Sequence, residues 1–86
     1  MVGIDATYRV CKDKIALIIF TGINNMGISI ILMCCFVVTE DKLAYQFALK
    51  SFEDFGFSIP NTVMTDQDRS LTAAISSEWP RAVHLF

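Results

Sequence analysis

The chain has no run of lysine or arginine, and its seven basic residues are scattered through a sequence of net charge −2. Proteins that hold nucleic acid by its phosphates usually present a cluster of such residues. We therefore do not expect a phosphate-binding surface from these 86 residues by themselves.

Cysteines are few, and their spacing is uninformative about cross-links. The three are Cys11, Cys34 and Cys35, an odd number with two adjacent and no C-x-x-C pair. This pattern favours neither a disulfide framework nor a zinc site, so we expect buried free thiols in an intracellular protein. The N-terminus lacks a basic segment followed by an apolar run, and no signal peptide is predicted.

Hydrophobic residues make up 53% of the sequence, enough for the packed core of one small domain. No charged residue occurs from Ile15 to Val38. That stretch is long enough to span a bilayer, which needs ~20 residues. Its centre reads TGINNMG, and two asparagines with two glycines are costly in lipid and favour a turn in water. The sequence therefore predicts a hairpin of two apolar strands, with a membrane span as the alternative.

Five short segments rich in apolar and β-branched residues predict strands. They are residues 2–8, 15–23, 28–38, 61–65 and 82–86. The second and third are apolar at nearly every position, which predicts that helices cover both faces of the sheet. The turn NNMG joins these two strands, because asparagine and glycine tolerate a positive φ.

Two helices are predicted between the later strands. The first covers residues 41–55, with Thr39 as its cap and Gly56 at its end. The second covers residues 69–78, with Asp68 as its cap. Helical spacing predicts a buried apolar stripe on the first helix, made of Leu43, Phe47, Leu49 to Phe52 and Phe55, with Ala44 and Ala48 beside them.

The element order β-β-β-α-β-α-(β) predicts an α/β fold with a mixed sheet. Three strands joined by short turns form an antiparallel meander, and the crossover through the first helix makes the fourth strand parallel to the first. The C-terminal ends of the first and fourth strands then lie side by side. Asp5 and Asp66 are at those two ends.

Two carboxylates held close together repel each other unless a cation lies between them. Mg²⁺ and Mn²⁺ prefer such oxygen ligands, and a pair of these ions can promote phosphodiester chemistry. The pattern therefore indicates a metal site formed by Asp5 and Asp66. A second interpretation stays open for Asp66, as a helix cap or a solvated loop acid, although Asp68 is better placed to cap.

Several segments together resemble the core of Mutator-like element (MULE) transposases. They are DATY, IALIIFTGINNMG, TEDKLAYQFALKSFEDF, TDQD and AAISSEWPRAVH, and they follow that family's order and spacing over nearly the whole chain. The resemblance implies a ribonuclease H-like fold, as in the DDE/D transposases and integrases. Plant far-red-response transcription regulators, which are domesticated from such transposases, share the same core.

By this resemblance, Asp5 corresponds to the first catalytic acid and Asp66 to the second, and together they are implied to bind Mg²⁺ or Mn²⁺. The parent protein is implied to cleave and join DNA in the nucleus and to be able to form oligomers; no membrane partner is expected. His84 matches the first histidine of a downstream Cys/His motif. Without the resemblance, it is a strand-edge residue whose ring nitrogen has a partner.

The third acid of the family, carried by a later helix, has no counterpart here. Glu78 is misplaced for that role, because it precedes the Trp-Pro pair that ends the second helix. Residues 1–86 are therefore expected to be a partial transposase core without its C-terminal part, and inactive alone. The rival prediction is a non-catalytic, domesticated domain that acts in transcriptional regulation or as an interaction domain.

Overall fold

The structure, a computed structural model, describes residues 1–7, 15–38 and 41–86. This part of the chain has the predicted order of strands and helices, with element ends close to the predicted ones. The elements are β1 (Val2–Thr7), β2 (Ala16–Ile23), β3 (Ser29–Val37), α1 (Lys42–Asp54), β4 (Thr62–Thr65), α2 (Arg69–Glu78) and β5 (Val83–Leu85).

The five strands form one mixed sheet in the order β3-β2-β1-β4-β5. β2 is antiparallel to both β1 and β3, whereas β4 is parallel to β1 and β5 is parallel to β4. This confirms the antiparallel meander and the parallel neighbours β1 and β4. Because parallel strands end at the same edge of a sheet, the C-terminal ends of β1 and β4 are adjacent.

The uncharged stretch forms the hairpin of β2 and β3 rather than one long helix. The side-chain oxygen of Asn24 accepts hydrogen bonds from the backbone N–H groups of Met26 at 2.9 Å and Ile28 at 3.0 Å. Gly27 has a φ of 78°, which a residue with a side chain rarely adopts. Within the described residues, no helix is both long enough and apolar enough to cross a membrane.

The helices pack on one face of the sheet. Buried positions alternate along β2, where Ala16, Ile18 and Phe20 contact a core that includes residues of both helices. On the opposite face, Phe36 of β3 is 66% exposed and Ile31 is 68% exposed. The prediction that helices cover both faces is therefore wrong for the described part of the chain, because α1 and α2 lie beside each other on the same face.

The start of α1 differs from the prediction. Asp41 has an extended backbone, and its carboxylate accepts a hydrogen bond from the N–H of Ala44 at 2.9 Å. Asp41 is therefore the cap, and the assignment of Thr39 was wrong; Thr39 and Glu40 lie outside the described residues. The end of α1 is confirmed, since Gly56 has a φ of 97° and its N–H donates to the carbonyl of Glu53 at 2.9 Å.

The buried stripe of α1 runs through Tyr45, Ala48, Leu49 and Phe52, which follow the i, i+3, i+4, i+7 spacing. Burial of Ala48, Leu49 and Phe52 is confirmed. The prediction of burial was wrong for three apolar residues that face solvent, namely Leu43, Phe47 and Phe55. A helix can bury only the stripe that faces its neighbours, and apolar residues outside that stripe stay exposed.

Phe52 is the centre of an aromatic cluster that joins separate elements. Its ring stacks on Phe20 of β2 at 4.8 Å and on Phe57 at 4.7 Å, and it meets Trp79 edge-on at 5.7 Å. Only 1% of Phe52 is exposed. The cluster therefore fixes α1 to the sheet and to the C-terminal end of α2.

We expect the Phe52→Ala substitution to lower the free energy of unfolding by about 3–5 kcal/mol, because it removes a fully buried ring and leaves a cavity. Phe47→Ala is the matched control, since Phe47 lies on the same helix and is 60% exposed. The control should change stability by less than about 0.5 kcal/mol. Urea unfolding of both variants gives the comparison, and similar losses in the two would contradict this core assignment.

Candidate metal centre

Asp5 lies on the face of the sheet that points away from the helices. In the register of β1 with β2, Ile4 is opposite Phe20 and Asp5 is opposite Ile19. Ile4 and Phe20 are both buried in the core, and side chains alternate along a strand. The carboxylate of Asp5 is therefore on the open face, and the residue is exposed.

Asp66 follows the last residue of β4, beside the end of β1. The last pair in the register of these two strands is Ile4 with Thr65, so Asp5 and Asp66 are the next residues along each strand. Neighbouring strands lie about 4.8 Å apart. Asp66 is exposed, as Asp5 is.

Asp5 and Asp66 line the same two cavities. The larger, of about 310 Å³, lies along the open face and includes Gly3, Thr21 and Met64 in its wall. The smaller, of about 110 Å³, lies between the strand ends and the start of α2. The structure thus brings the two acids to the same cavities, although Asp5 lies inside β1, two residues before its end, and not at the strand end as predicted. Their role in metal binding stays a prediction.

Asp68 caps α2, as the sequence predicted. Its Oδ1 accepts a hydrogen bond from the N–H of Leu71 at 3.1 Å, and its Oδ2 accepts one from the hydroxyl of Tyr45 at 3.2 Å. The interpretation of Asp66 as the helix cap is therefore wrong. Asp68 also lines the smaller cavity, and each of its oxygens accepts one of these two bonds.

The acid pair matches the ligands that a hard divalent cation prefers. Mg²⁺ is commonly bound by one or two carboxylates, with water and phosphate oxygens completing its coordination. Among the residues that the structure describes, no group of three or more His, Cys, Asp or Glu could hold a metal ion. A cation held by Asp5 and Asp66 alone would keep most of its coordination positions for water or substrate.

Glu78 does not join the acid pair. Its carboxylate lies 4.0 Å from the ammonium group of Lys50. It lines a cavity of about 410 Å³ together with Asn61, which immediately precedes β4, and Pro80. That cavity is at the N-terminal end of β4, whereas Asp66 follows its C-terminal end, so Glu78 does not lie beside the acid pair.

His84 lies on the edge strand β5, and its ring nitrogen has a partner. Nε2 is 2.7 Å from Oγ1 of Thr65, and the imidazole contacts the ring of Phe86 with centroids 4.5 Å apart. Burial lowers the pKa of His84, because a charged imidazolium is less well solvated there. The prediction of a strand-edge histidine with a satisfied ring is confirmed.

Thr65 was missed as a site residue. It is 4% exposed, and its hydroxyl donates to the carbonyl oxygen of Asp66 at 2.8 Å. The signal was present in the sequence, because alternation along β4 places Thr65 on the same face as buried Val63. A hydroxyl buried on that face needs a hydrogen-bond partner.

The described cysteines, Cys34 and Cys35, are free thiols, as predicted, but they are not both buried. Cys35 is half-buried, and burial raises the pKa of its thiol. Cys34 is exposed, so the prediction that it is buried was wrong. Its side chain points to the face of β3 that no helix covers. Cys11 lies outside the described residues.

We expect Asp68→Ala to lower the free energy of unfolding by about 1–2 kcal/mol, since it removes the N-cap of α2. The matched control is Asp66→Ala, which removes an exposed carboxylate two residues away and should change stability by less than about 0.5 kcal/mol. Thermal and urea unfolding monitor both. If Asp66→Ala were the more damaging change, the assignment of the two aspartates would be reversed.

Comparison with known proteins identifies the family of this chain. The MULE transposase domain matches residues 1–86. Protein FAR1-RELATED SEQUENCE 6 of Arabidopsis thaliana is 35% identical over 86 residues, covering 100% of this chain and 12% of that protein. Protein FAR-RED IMPAIRED RESPONSE 1 of the same plant is 31% identical over 87 residues, covering 100% of this chain and 10% of that protein. The chain thus spans only a small part of these relatives, and it belongs to the MULE transposase domain family.

Proposed function

We propose that the chain is the core of a domesticated, MULE-derived regulator that acts in transcriptional control through contacts with other proteins. The observation that carries this proposal is that the whole chain matches a small part of plant proteins named for the far-red response, at 35% and 31% identity.

The proposed fold is ribonuclease H-like. The antiparallel meander β1–β2–β3, extended by the parallel strands β4 and β5, is the arrangement implied by the resemblance to DDE/D transposases. The helices α1 and α2 form the crossovers between the parallel strands. The proposal extends to a nuclear location and to DNA contact made by the longer protein, since the family acts on DNA.

The regulator proposal is tested by joining the chain to a heterologous DNA-binding domain and measuring a reporter gene in plant cells. We expect the fusion to change reporter expression, and the Asp5→Asn and Asp66→Asn variants to change it equally, because protein contacts do not require a metal. Reporter expression equal to that of the DNA-binding domain alone would contradict the proposal.

A second candidate is retained transposase chemistry in the longer protein, and one observation favours it. Asp5 and Asp66 are both present and line the same cavities, although a pure interaction domain has no need of paired acids. Mg²⁺ or Mn²⁺ bound there would supply charge stabilisation for phosphodiester cleavage and strand transfer. Asp5 and Asp66 would hold the ion and orient water, then a DNA 3′-hydroxyl, toward the phosphorus.

The transposase candidate includes a cation held by Asp5 and Asp66, which Mn²⁺ calorimetry tests. We expect the chain to bind Mn²⁺ with a dissociation constant on the order of 1 mM, as suits two carboxylates without a third. Asp5→Asn and Asp66→Asn should each weaken binding by about tenfold or more, because each removes one of two ligands.

The control for this titration is Asp54→Asn, which removes an exposed acid at the end of α1 and should leave Mn²⁺ affinity unchanged. A chain that takes up no Mn²⁺, or whose affinity is indifferent to Asp5 and Asp66, would contradict the proposed metal site. Cleavage of plasmid DNA in the same buffer, abolished by Asp5→Asn, would favour the transposase candidate over the regulator.

A further inference from the structure

The backbone at Asp66 lies beyond the hydrogen-bonded ladder that fixes β4. The register of β4 with β1 ends at the pair Ile4 and Thr65, and that of β4 with β5 ends at Met64 and Leu85. Asp66 itself is exposed and belongs to no strand. Some contact other than sheet pairing must therefore orient this residue if its carboxylate is to stay beside Asp5.

The hydroxyl of Thr65 supplies such a contact. Its Oγ1 is 2.8 Å from the carbonyl oxygen of Asp66 and 2.7 Å from Nε2 of His84. Thr65 is 4% exposed, so neither bond competes with much water. Fixing the carbonyl of Asp66 restrains the ψ angle of that residue, and with it the direction in which the rest of the loop leaves the strand.

The protons in this arrangement can be assigned. A threonine hydroxyl has one hydrogen, and a carbonyl oxygen can only accept. Two oxygens 2.8 Å apart without a hydrogen between them repel, so the hydrogen of Thr65 lies toward Asp66. His84 must then donate to Thr65 from Nε2–H, which leaves Nδ1 as the unprotonated nitrogen of the neutral ring.

We propose that Thr65 and His84 are positioning residues for Asp66. His84 donates to Thr65, Thr65 donates to the carbonyl of Asp66, and the edge strand β5 thereby holds the second acid beside Asp5. This inference rests on the proposed metal site and adds to it two residues that do not touch the ion. It also gives β5 a role beyond sheet pairing, because β5 carries the histidine.

The test compares four variants by ¹⁵N relaxation and by Mn²⁺ calorimetry. Thr65→Val removes the hydroxyl at nearly constant volume, Thr65→Ser restores it, and His84→Leu removes the donor. Thr62→Val is the matched control, since Thr62 is a half-buried threonine of the same strand. Unfolding curves confirm that each variant is folded, and His84→Leu supplies the test where Thr65→Val is unstable.

We expect the order parameters of the Asp66 and Gln67 amides to fall from about 0.85 toward 0.6 in Thr65→Val and His84→Leu. Mn²⁺ affinity should fall by about tenfold in the same two variants, as is usual for residues that orient a ligand. Thr65→Ser and Thr62→Val should resemble the wild-type chain in both measurements. The ¹⁵N shifts of the His84 ring should show a protonated Nε2 in neutral solution.

Failure of this inference is distinguishable from failure of the metal site. If wild-type chain binds Mn²⁺ through Asp5 and Asp66 but Thr65→Val leaves affinity and order parameters unchanged, the positioning role is overturned and the metal site stands. If wild-type chain binds no Mn²⁺, the metal site fails, and the order parameters alone decide whether Thr65 and His84 hold Asp66. A ring protonated at Nδ1 instead of Nε2 overturns the proton assignment.

Discussion

The parallel pairing of β1 with β4 is the constraint on which the candidate site depends. It sets the last pair at Ile4 and Thr65, so that the next residue on each strand is an aspartate. The pairing requires a crossover from β3 to β4, and α1 provides it by packing Phe52 against Phe20 of the central sheet. Burial of this aromatic contact thus stabilises the arrangement that brings the two aspartates to the same cavities.

The sequence predicted the parts of the fold that local chemistry determines. The turn at Asn24 to Gly27, the cap at Asp68 and the end of α1 at Gly56 all depend on hydrogen bonds or φ angles specific to those residue types. The juxtaposition of Asp5 and Asp66 was predictable as well, because it follows from strand order and the direction of the crossover.

What the sequence did not predict depends on packing between distant segments. An apolar Leu43 or Phe47 has the same local pattern whether or not another element covers it. Tyr45 is buried instead, because it lies on the side of α1 that faces the core. The sequence wrongly predicted that a helix covers the exposed face of β3, for the same reason. Thr65 and His84 meet across 19 positions of sequence, and no spacing rule joins them.

The acid pair favours the transposase candidate, whereas the named relatives favour the regulator candidate. Relatives named for the far-red response match the whole chain, while the edge of the sheet keeps two carboxylates that phosphodiester chemistry would use. The proposed Mn²⁺ site would reconcile the two, if a domesticated core held the ion weakly through Asp5 and Asp66.

The most direct test of a shared site is paramagnetic broadening by Mn²⁺ in the ¹⁵N spectrum of the folded chain. A shared site predicts that trace Mn²⁺ first broadens the amides around Asp5 and Asp66 together, in two segments far apart in sequence. Amides near Asn61 and Glu78, at the N-terminal end of β4, should keep their intensity. Broadening confined to one of the two segments, or strongest near Glu78, would contradict a shared site.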